Sequence, residues 1–150
     1  MITRRATLED LPALLRLYAF LDPNDPILDP LDHNVRQHWE DILSDRRLSY
    51  FVAETNGLIV STCTMTLVPN LTRSMSPYGL IENVITDPDF RKQGLGTKVL
   101  KHALDEAWKE GCYKVMLLCG SQRESTLRFY EKAGFKRGIK TGFVAHPINW

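Results

Sequence analysis

Three cysteines (Cys63, Cys112, Cys119), an odd number with no C-x-x-C spacing, supply neither a disulfide framework nor a structural zinc site. The four histidines (His33, His38, His102, His146) show no H-E-x-x-H pattern, so no metal is expected. No apolar run approaches the roughly 18 residues of a membrane span. Met1-Ile2-Thr3-Arg4-Arg5 leads to Glu9 and Asp10 rather than to the apolar stretch of a secretory leader. Charge of one sign is missing as well: 19 Lys and Arg against 18 Asp and Glu leave +1, which by itself speaks against a polyanion binder. There is no linker, large repeat or low-complexity segment. What remains is an ordinary globular composition, 43% hydrophobic and 25% charged. A chain of 150 residues can bury about two-thirds of its unfolded surface without a staple. Residues 1–150 are therefore expected to form a single domain, with no membrane or nucleic-acid partner and a cytoplasmic location.

The pattern of elements is mixed. Residues 2–6 read as a strand. Thr7, with Asp10 three residues on, reads as a helix start ahead of Leu11, Leu14, Leu15, Tyr18 and Ala19. Three prolines make residues 22–32 a loop, and Val35, Trp39, Ile42 and Leu43 mark a helix over 33–45. Strands over 48–54 and 58–68 flank Asn56-Gly57, a strong hairpin signal. A strand over 79–86 precedes a helix over 94–110, with Leu100, Ala103, Leu104, Ala107 and Trp108 on one face. Residues 115–119 form a short strand, 123–133 a helix, and 135–148 one or two more strands. The expected order is β-α-α-β-β-β-α-β-α-β, an α/β fold.

The near-zero charge conceals a division. Residues 91–140 hold twelve Lys and Arg against five Asp and Glu, a net +7, and the other hundred residues carry −6. The cationic third opens with Asp87-Pro88-Asp89-Phe90-Arg91-Lys92-Gln93-Gly94-Leu95-Gly96-Thr97, between a strand and an amphipathic helix. Glycines let backbone approach a ligand, and the first N–H groups of a helix lack internal partners. Such a turn is an anion site, reinforced here by Arg91 and Lys92. It is not a Walker loop, because Gly-Leu-Gly-Thr-Lys breaks the G-x-x-x-x-G-K-S/T order. Nor is it a G-x-G-x-x-G dinucleotide fingerprint, because Val99 replaces the third glycine.

The pattern that fits is R-x-x-G-x-G, and with it the chain resembles the GNAT superfamily of N-acetyltransferases. Phe129-Tyr130-Glu131-Lys132-Ala133-Gly134-Phe135 is similar to that family's other recurrent motif and follows at the expected distance. The resemblance is close over residues 79–136. It implies the GNAT fold, a mixed and mostly antiparallel central sheet flanked by helices. It further implies direct acetyl transfer from acetyl-CoA, the cosubstrate, to the primary amine of a small molecule in a ternary complex. A homodimer is compatible with it, since dimers are common among similar proteins.

The resemblance also distributes roles. Backbone groups of Arg91, Lys92, Gln93, Gly94, Leu95, Gly96 and Thr97 match the grip on pyrophosphate, and Val84, Ile85 and Thr86 the positions beside pantetheine, where an N–H can serve the oxyanion. Tyr130 matches the residue near the coenzyme sulfur; a phenol of pKa about 10 can protonate a thiolate of pKa about 8.5. The alternative for Tyr130 is core packing, as for Phe129. Glu82 lies in the strand feeding the loop, where alternation puts Ile81, Asn83 and Ile85 on one face and Glu82, Val84 and Thr86 on the other. It is the candidate general base; alternatively it orients substrate or pairs with a lysine. Arg123 replaces a frequent Asn, so any contact from that position is in doubt. His102 reads as a solvated residue and Cys119 as packing.

The acceptor is open. Seven acids between residues 22 and 45 against Arg36 alone form either a wall for a cationic amine or a solvated loop. Ile81-Glu82-Asn83-Val84 and Gly111-Cys112-Tyr113-Lys114 resemble amino-sugar-phosphate acetyltransferases instead, which implies a phosphorylated acceptor and a cation such as Arg73. Peptide N-termini, and a non-catalytic acyl-CoA-binding module, are the remaining alternatives.

Overall fold

The computed structural model describes residues 1–148. Five strands lie in the order β1 (Ile2–Arg5), β2 (Leu48–Thr55), β3 (Leu58–Val68), β4 (Tyr78–Thr86) and β5 (Val115–Leu117). The first four pair antiparallel and β5 joins β4 in parallel. Helices α1 (Leu11–Tyr18) and α2 (His33–Ser44) cover one face, and α3 (Leu95–Lys109) and α4 (Glu124–Ala133) the other. This is the mixed, mostly antiparallel sheet flanked by helices that the resemblance implied.

Local chemistry accounts for the layers. The backbone N–H of Thr7 donates to Asp10 at 2.7 Å, and Arg4 grips the same carboxylate, fixing the entry to α1. Leu11, Leu14 and Leu17 then recur at helical spacing and bury against Val52, Ile59 and Ile85. On the opposite face Val99, Leu100, Ala103 and Ala107 of α3 meet Phe51, Cys63, Met65 and Ile81. Each large side chain so buried contributes about 1.5–3 kcal/mol relative to exposure. The Asn56-Gly57 hairpin forms with positive φ at both residues, as a two-residue turn between twisted strands requires.

Three expectations fail. No strand forms over 135–148 among the described residues, so the final β of the expected order is absent. Ile139, Phe143 and Val144 stay 70%, 91% and 66% exposed, and a strand without a buried face has nothing to hold its register. Correspondingly β5 stops at Leu117 rather than residue 119. Trp108 does not join the core face of α3: one residue past buried Ala107, it turns out and is half exposed.

Candidate active site

Strand β4 does not alternate as its sequence suggests. Thr64 pairs with Glu82 and Thr62 with Ile85, so β4 carries one residue more than β3 between these pairs. Asn83 absorbs the excess at φ 53°, a left-handed conformation that Asn tolerates better than most residues. The bulge reverses the faces beyond it. Ile81 and Val84 both pack in the α3 and α4 core, Thr86 meets α3 at Gly96, and Ile85 joins the α1 and α2 core. Glu82 shares its face with Thr64, on the α1 and α2 side, and is exposed. The expected grouping of Ile81 with Ile85, and of Glu82 with Val84 and Thr86, is thereby corrected.

The same stretch opens an edge. Strands β4 and β5 pair only from Gly79–Val115 to Ile81–Leu117. From Glu82 to Thr86 the outer edge of β4 has no strand neighbour among the described residues, so its backbone groups are available to a ligand.

The edge runs into the glycine loop. Asp87 closes β4 with its N–H on the Val60 carbonyl, 2.8 Å, while its carboxylate accepts from the Asp89 N–H and from Arg16 Nη1. Arg16 Nη2 donates to the Ile59 carbonyl at 2.6 Å. Burial opposes ionisation of Asp87, but these donors outweigh it and hold the carboxyl below its ordinary range. A single 3-10 turn, Pro88–Phe90, follows, and Arg91 Nε reaches back to the Thr86 carbonyl at 3.2 Å. Lys92 and Gly94 then take φ of 63° and 78°, and Gly94 opens α3 without a side-chain cap. Arg91, Lys92, Gln93 and Gly94 are exposed, whereas Leu95, Gly96 and Thr97 are buried. A Cβ on Gly96 would stand 2.9 Å from Thr86 Oγ1 and 3.0 Å from Phe129 Cζ. Only glycine lets the start of α3 press so closely on β4 and α4. The result is a helix start with free amides, flanked by two cations, which suits an anion.

Tyr130 lies on α4 and packs against the core that α3 and α4 share. Its ring packs on Phe129 (centroids 4.9 Å) and edge-on to Phe135 (6.3 Å). Burial pushes its hydroxyl up to about 12, and the charges of Cys119, Cys63 and Glu82 add to the rise. The elevated value keeps the phenol a neutral donor across ordinary pH. It also makes Tyr130 a weaker acid than a free phenol, better at hydrogen-bonding a developing thiolate than at full proton transfer. Cys119 is half-buried with its Sγ 3.6 Å from the Ser121 carbonyl. His102 is held elsewhere, its Nδ1 3.0 Å from Thr3 Oγ1 and its ring on Phe51. Arg123 is exposed just ahead of α4 and caps nothing with its side chain.

A second cationic group was only partly anticipated. In the one-turn segment Thr72–Met75, Arg73, Ser74 and Met75 take successive φ of 55°, 56° and 63°. Left-handed backbone costs a non-glycine residue about 1–2 kcal/mol. The strained turn holds the Arg73 guanidinium 5.6 Å from the Tyr113 ring centroid. Lys114 Nζ lies 5.3 Å from both the Tyr113 and Tyr78 centroids. Neither cation meets a carboxylate among the described residues. Both flank the start of β4 at Tyr78, four residues before Glu82.

The acids of residues 22–45 prove structural in large part. Asp22, Asp29 and Asp45 accept from the N–H two residues on, and Asp32 caps α2 through the Asn34 and Val35 N–H groups. Among the described residues no three His, Cys, Asp or Glu gather where they could hold a metal, and no helix is long and apolar enough to cross a membrane.

Comparison with known proteins agrees with this geometry. The family described as "Acetyltransferase (GNAT) family" matches residues 11–135. The glucosamine 6-phosphate N-acetyltransferase of Trypanosoma brucei brucei is 36% identical over 86 residues, 57% of this chain and 56% of that enzyme. The enzyme of the same name from Arabidopsis thaliana is 33% identical over 106 residues, 69% of each chain. The chain thus spans little more than half the length of the first of these relatives. Among solved structures, one from Agrobacterium tumefaciens str. C58, described as an acetyltransferase, superposes with a TM-score of 0.92 at 41% identity. It covers 98% of this chain and 100% of its own. With the family match running over residues 11–135, most of its length, the chain belongs to the acetyltransferase (GNAT) family.

Proposed function

We propose that this protein is an acetyl-CoA-dependent N-acetyltransferase that acetylates the primary amine of a small, anionic acceptor by direct transfer in a ternary complex. The observation that carries the reading is the continuous path from the unpaired edge of β4 at Glu82 to the free amides of α3, against the core in which Tyr130 packs. Acetyl-CoA would supply the activated thioester. Arg91, Lys92, Gln93, Gly94, Leu95, Gly96 and Thr97 would hold its pyrophosphate through backbone N–H groups, and the close approach enforced at Gly96 fits that use. The exposed edge at Val84, Ile85 and Thr86 would receive the pantetheine arm.

Three tasks then fall to the chain. Glu82 accepts a proton from the acceptor ammonium, directly or through water, leaving a neutral amine to attack. An N–H on the β4 edge stabilises the oxyanion of the tetrahedral intermediate. Tyr130 donates a hydrogen bond to the departing thiolate, whose charge is less costly once shared.

Arg73 and Lys114 support an anionic acceptor. Two cations on aromatic rings, Arg73 from a strained turn and Lys114 from just ahead of β5, form a ready phosphate contact. Four strand steps, about 13 Å of backbone, separate the start of β4 beside these cations from Glu82. The relatives named for glucosamine 6-phosphate point the same way. The acids of residues 22–45, occupied in turns and caps, lend a cationic acceptor less support. The test is thiol release from acetyl-CoA against amino-sugar phosphates, the matching unphosphorylated sugars, polyamines and peptides. Preference for the phosphorylated sugars upholds the reading, turnover of polyamines alone overturns the anionic acceptor, and coenzyme binding without any turnover favours a non-catalytic module.

A further inference from the structure

Resting on the coenzyme-loop reading above, we infer that Arg16 of α1 is a positioning residue for that loop, acting through Asp87. The loop begins at Asp87, a carboxylate with only 6% of its surface exposed, at the junction of β4 and the 3-10 turn. A buried, uncompensated carboxylate there would disfavour the dianionic pyrophosphate that the next residues are to receive. It would also be free to abandon the Asp89 N–H and release the turn.

Arg16 prevents both. It is 71 positions away in sequence and belongs to the helix layer across the sheet from α3. One arm of its guanidinium ion-pairs with Asp87 Oδ2, and the other is tied to the Ile59 carbonyl. This fork is a property of arginine that lysine lacks. Because its second arm is anchored on β3, Arg16 holds Asp87 in place rather than following it. The neighbours of Asp87 are otherwise few: the Asp89 N–H binds its Oδ1, the charge of Arg91 lies nearby, and the Asp87 N–H is spent on Val60. Asp87 thus keeps its capping role with its charge already matched, and the positive charge of Arg91 and Lys92 remains for the ligand. Arg16 touches neither the proposed coenzyme nor the acceptor, so its effect is on loop geometry and field alone.

The experiment compares the wild type with Arg16→Gln, Arg16→Lys, Asp87→Asn and the Arg16→Gln/Asp87→Asn double variant. Coenzyme A affinity is measured by calorimetry, thermal midpoint by unfolding, and kcat and both KM values by thiol release. Arg16→Gln is expected to raise the Kd for coenzyme A about tenfold, the size of an unmatched charge at a binding surface, while kcat at saturating acetyl-CoA falls much less. Asp87→Asn added to Arg16→Gln removes the unmatched charge but keeps a capping oxygen, and should recover most of the lost affinity. Arg16→Lys keeps the charge without the fork and should lie between. A lower thermal midpoint with unchanged coenzyme affinity overturns the proposal, as does a double variant that binds no better than Arg16→Gln. Should Arg16→Gln fail to fold, equal coenzyme affinity in Arg16→Lys, Asp87→Asn and the wild type overturns it equally. A wild type that does not bind coenzyme A refutes the loop reading itself; wild-type binding that survives Arg16→Gln refutes only the part given to Arg16.

Discussion

The molecule carries two cationic regions built on opposite principles. At residues 91–97 the groups proposed to meet the coenzyme are backbone amides, and Gly96 leaves no room for a side chain. At Arg73 and Lys114 the groups proposed to meet the acceptor are side chains steadied on tyrosine rings, and the backbone beneath Arg73 is strained. Backbone amides can be kept while the sequence around them drifts, which suits a coenzyme shared by many enzymes. Side chains can be exchanged one at a time, which suits an acceptor that distinguishes one enzyme from the next. The contrast predicts that damage to the first region is general and damage to the second is selective.

The largest effect is expected at the proposed reacting centre. Tyr130→Phe should lower kcat by about a hundredfold, the scale of one lost acid or donor, with coenzyme affinity nearly unchanged. A rise in Kd instead would return Tyr130 to the role of a packing residue. Gly96→Ala tests the backbone region. Its new Cβ meets Thr86 and Phe129 below 3.1 Å, so overpacking of about 1–3 kcal/mol should appear as a lower thermal midpoint. Binding of acetyl-CoA should fail with every acceptor alike. The Arg73→Ala/Lys114→Ala pair tests the side-chain region. It should cost about 1.5–3 kcal/mol, roughly tenfold or more in KM, for a phosphorylated acceptor. The KM for acetyl-CoA should not move; if it does, the two regions are not separate. The smallest effect is on titration. The Tyr130 hydroxyl is raised to about 12 by burial, so the folded state favours the neutral phenol. The stability it contributes is complete below the ordinary tyrosine value of about 10 and is lost as pH rises from there through 12. Ultraviolet titration of phenolate should accordingly lag behind free tyrosine, and Tyr130→Phe should remove part of that lag.

Much of this was legible in the sequence because it is local. Helical spacing in α1, α2 and α3, the Asn56-Gly57 turn and the glycines at 94 and 96 each act within a few residues. The bulge was faint in the sequence: Ile81-Glu82-Asn83-Val84-Ile85-Thr86 suits a strand by residue type, and only Val84, out of phase with Ile81, and Asn83, a residue tolerant of positive φ, hint at an interruption. The bracing of Asp87 by Arg16 was not legible, because an ion pair across 71 positions depends on which helix covers which strand end. The stacking of Arg73 and Lys114 similarly needed the parallel pairing of β5 with β4 to bring Tyr78 and Tyr113 together. The tail after α4 looked like strand from its residues alone. Strand formation, however, requires a buried face, which is a property of the fold and not of the segment.

The extra residue at Asn83 divides β4 into two halves of opposite phase. Before it, the core of α3 and α4 claims Ile81; beyond it, the same core claims Val84, an interval of three where an unbroken strand permits only even steps. Deleting Asn83 would therefore leave every later side chain on its present face, with Ile85 still opposite Thr62 and Thr86 still opposite Ser61. What the deletion removes is only the left-handed step in the open edge. The register of the sheet and the shape of that edge are thus separable by a single residue.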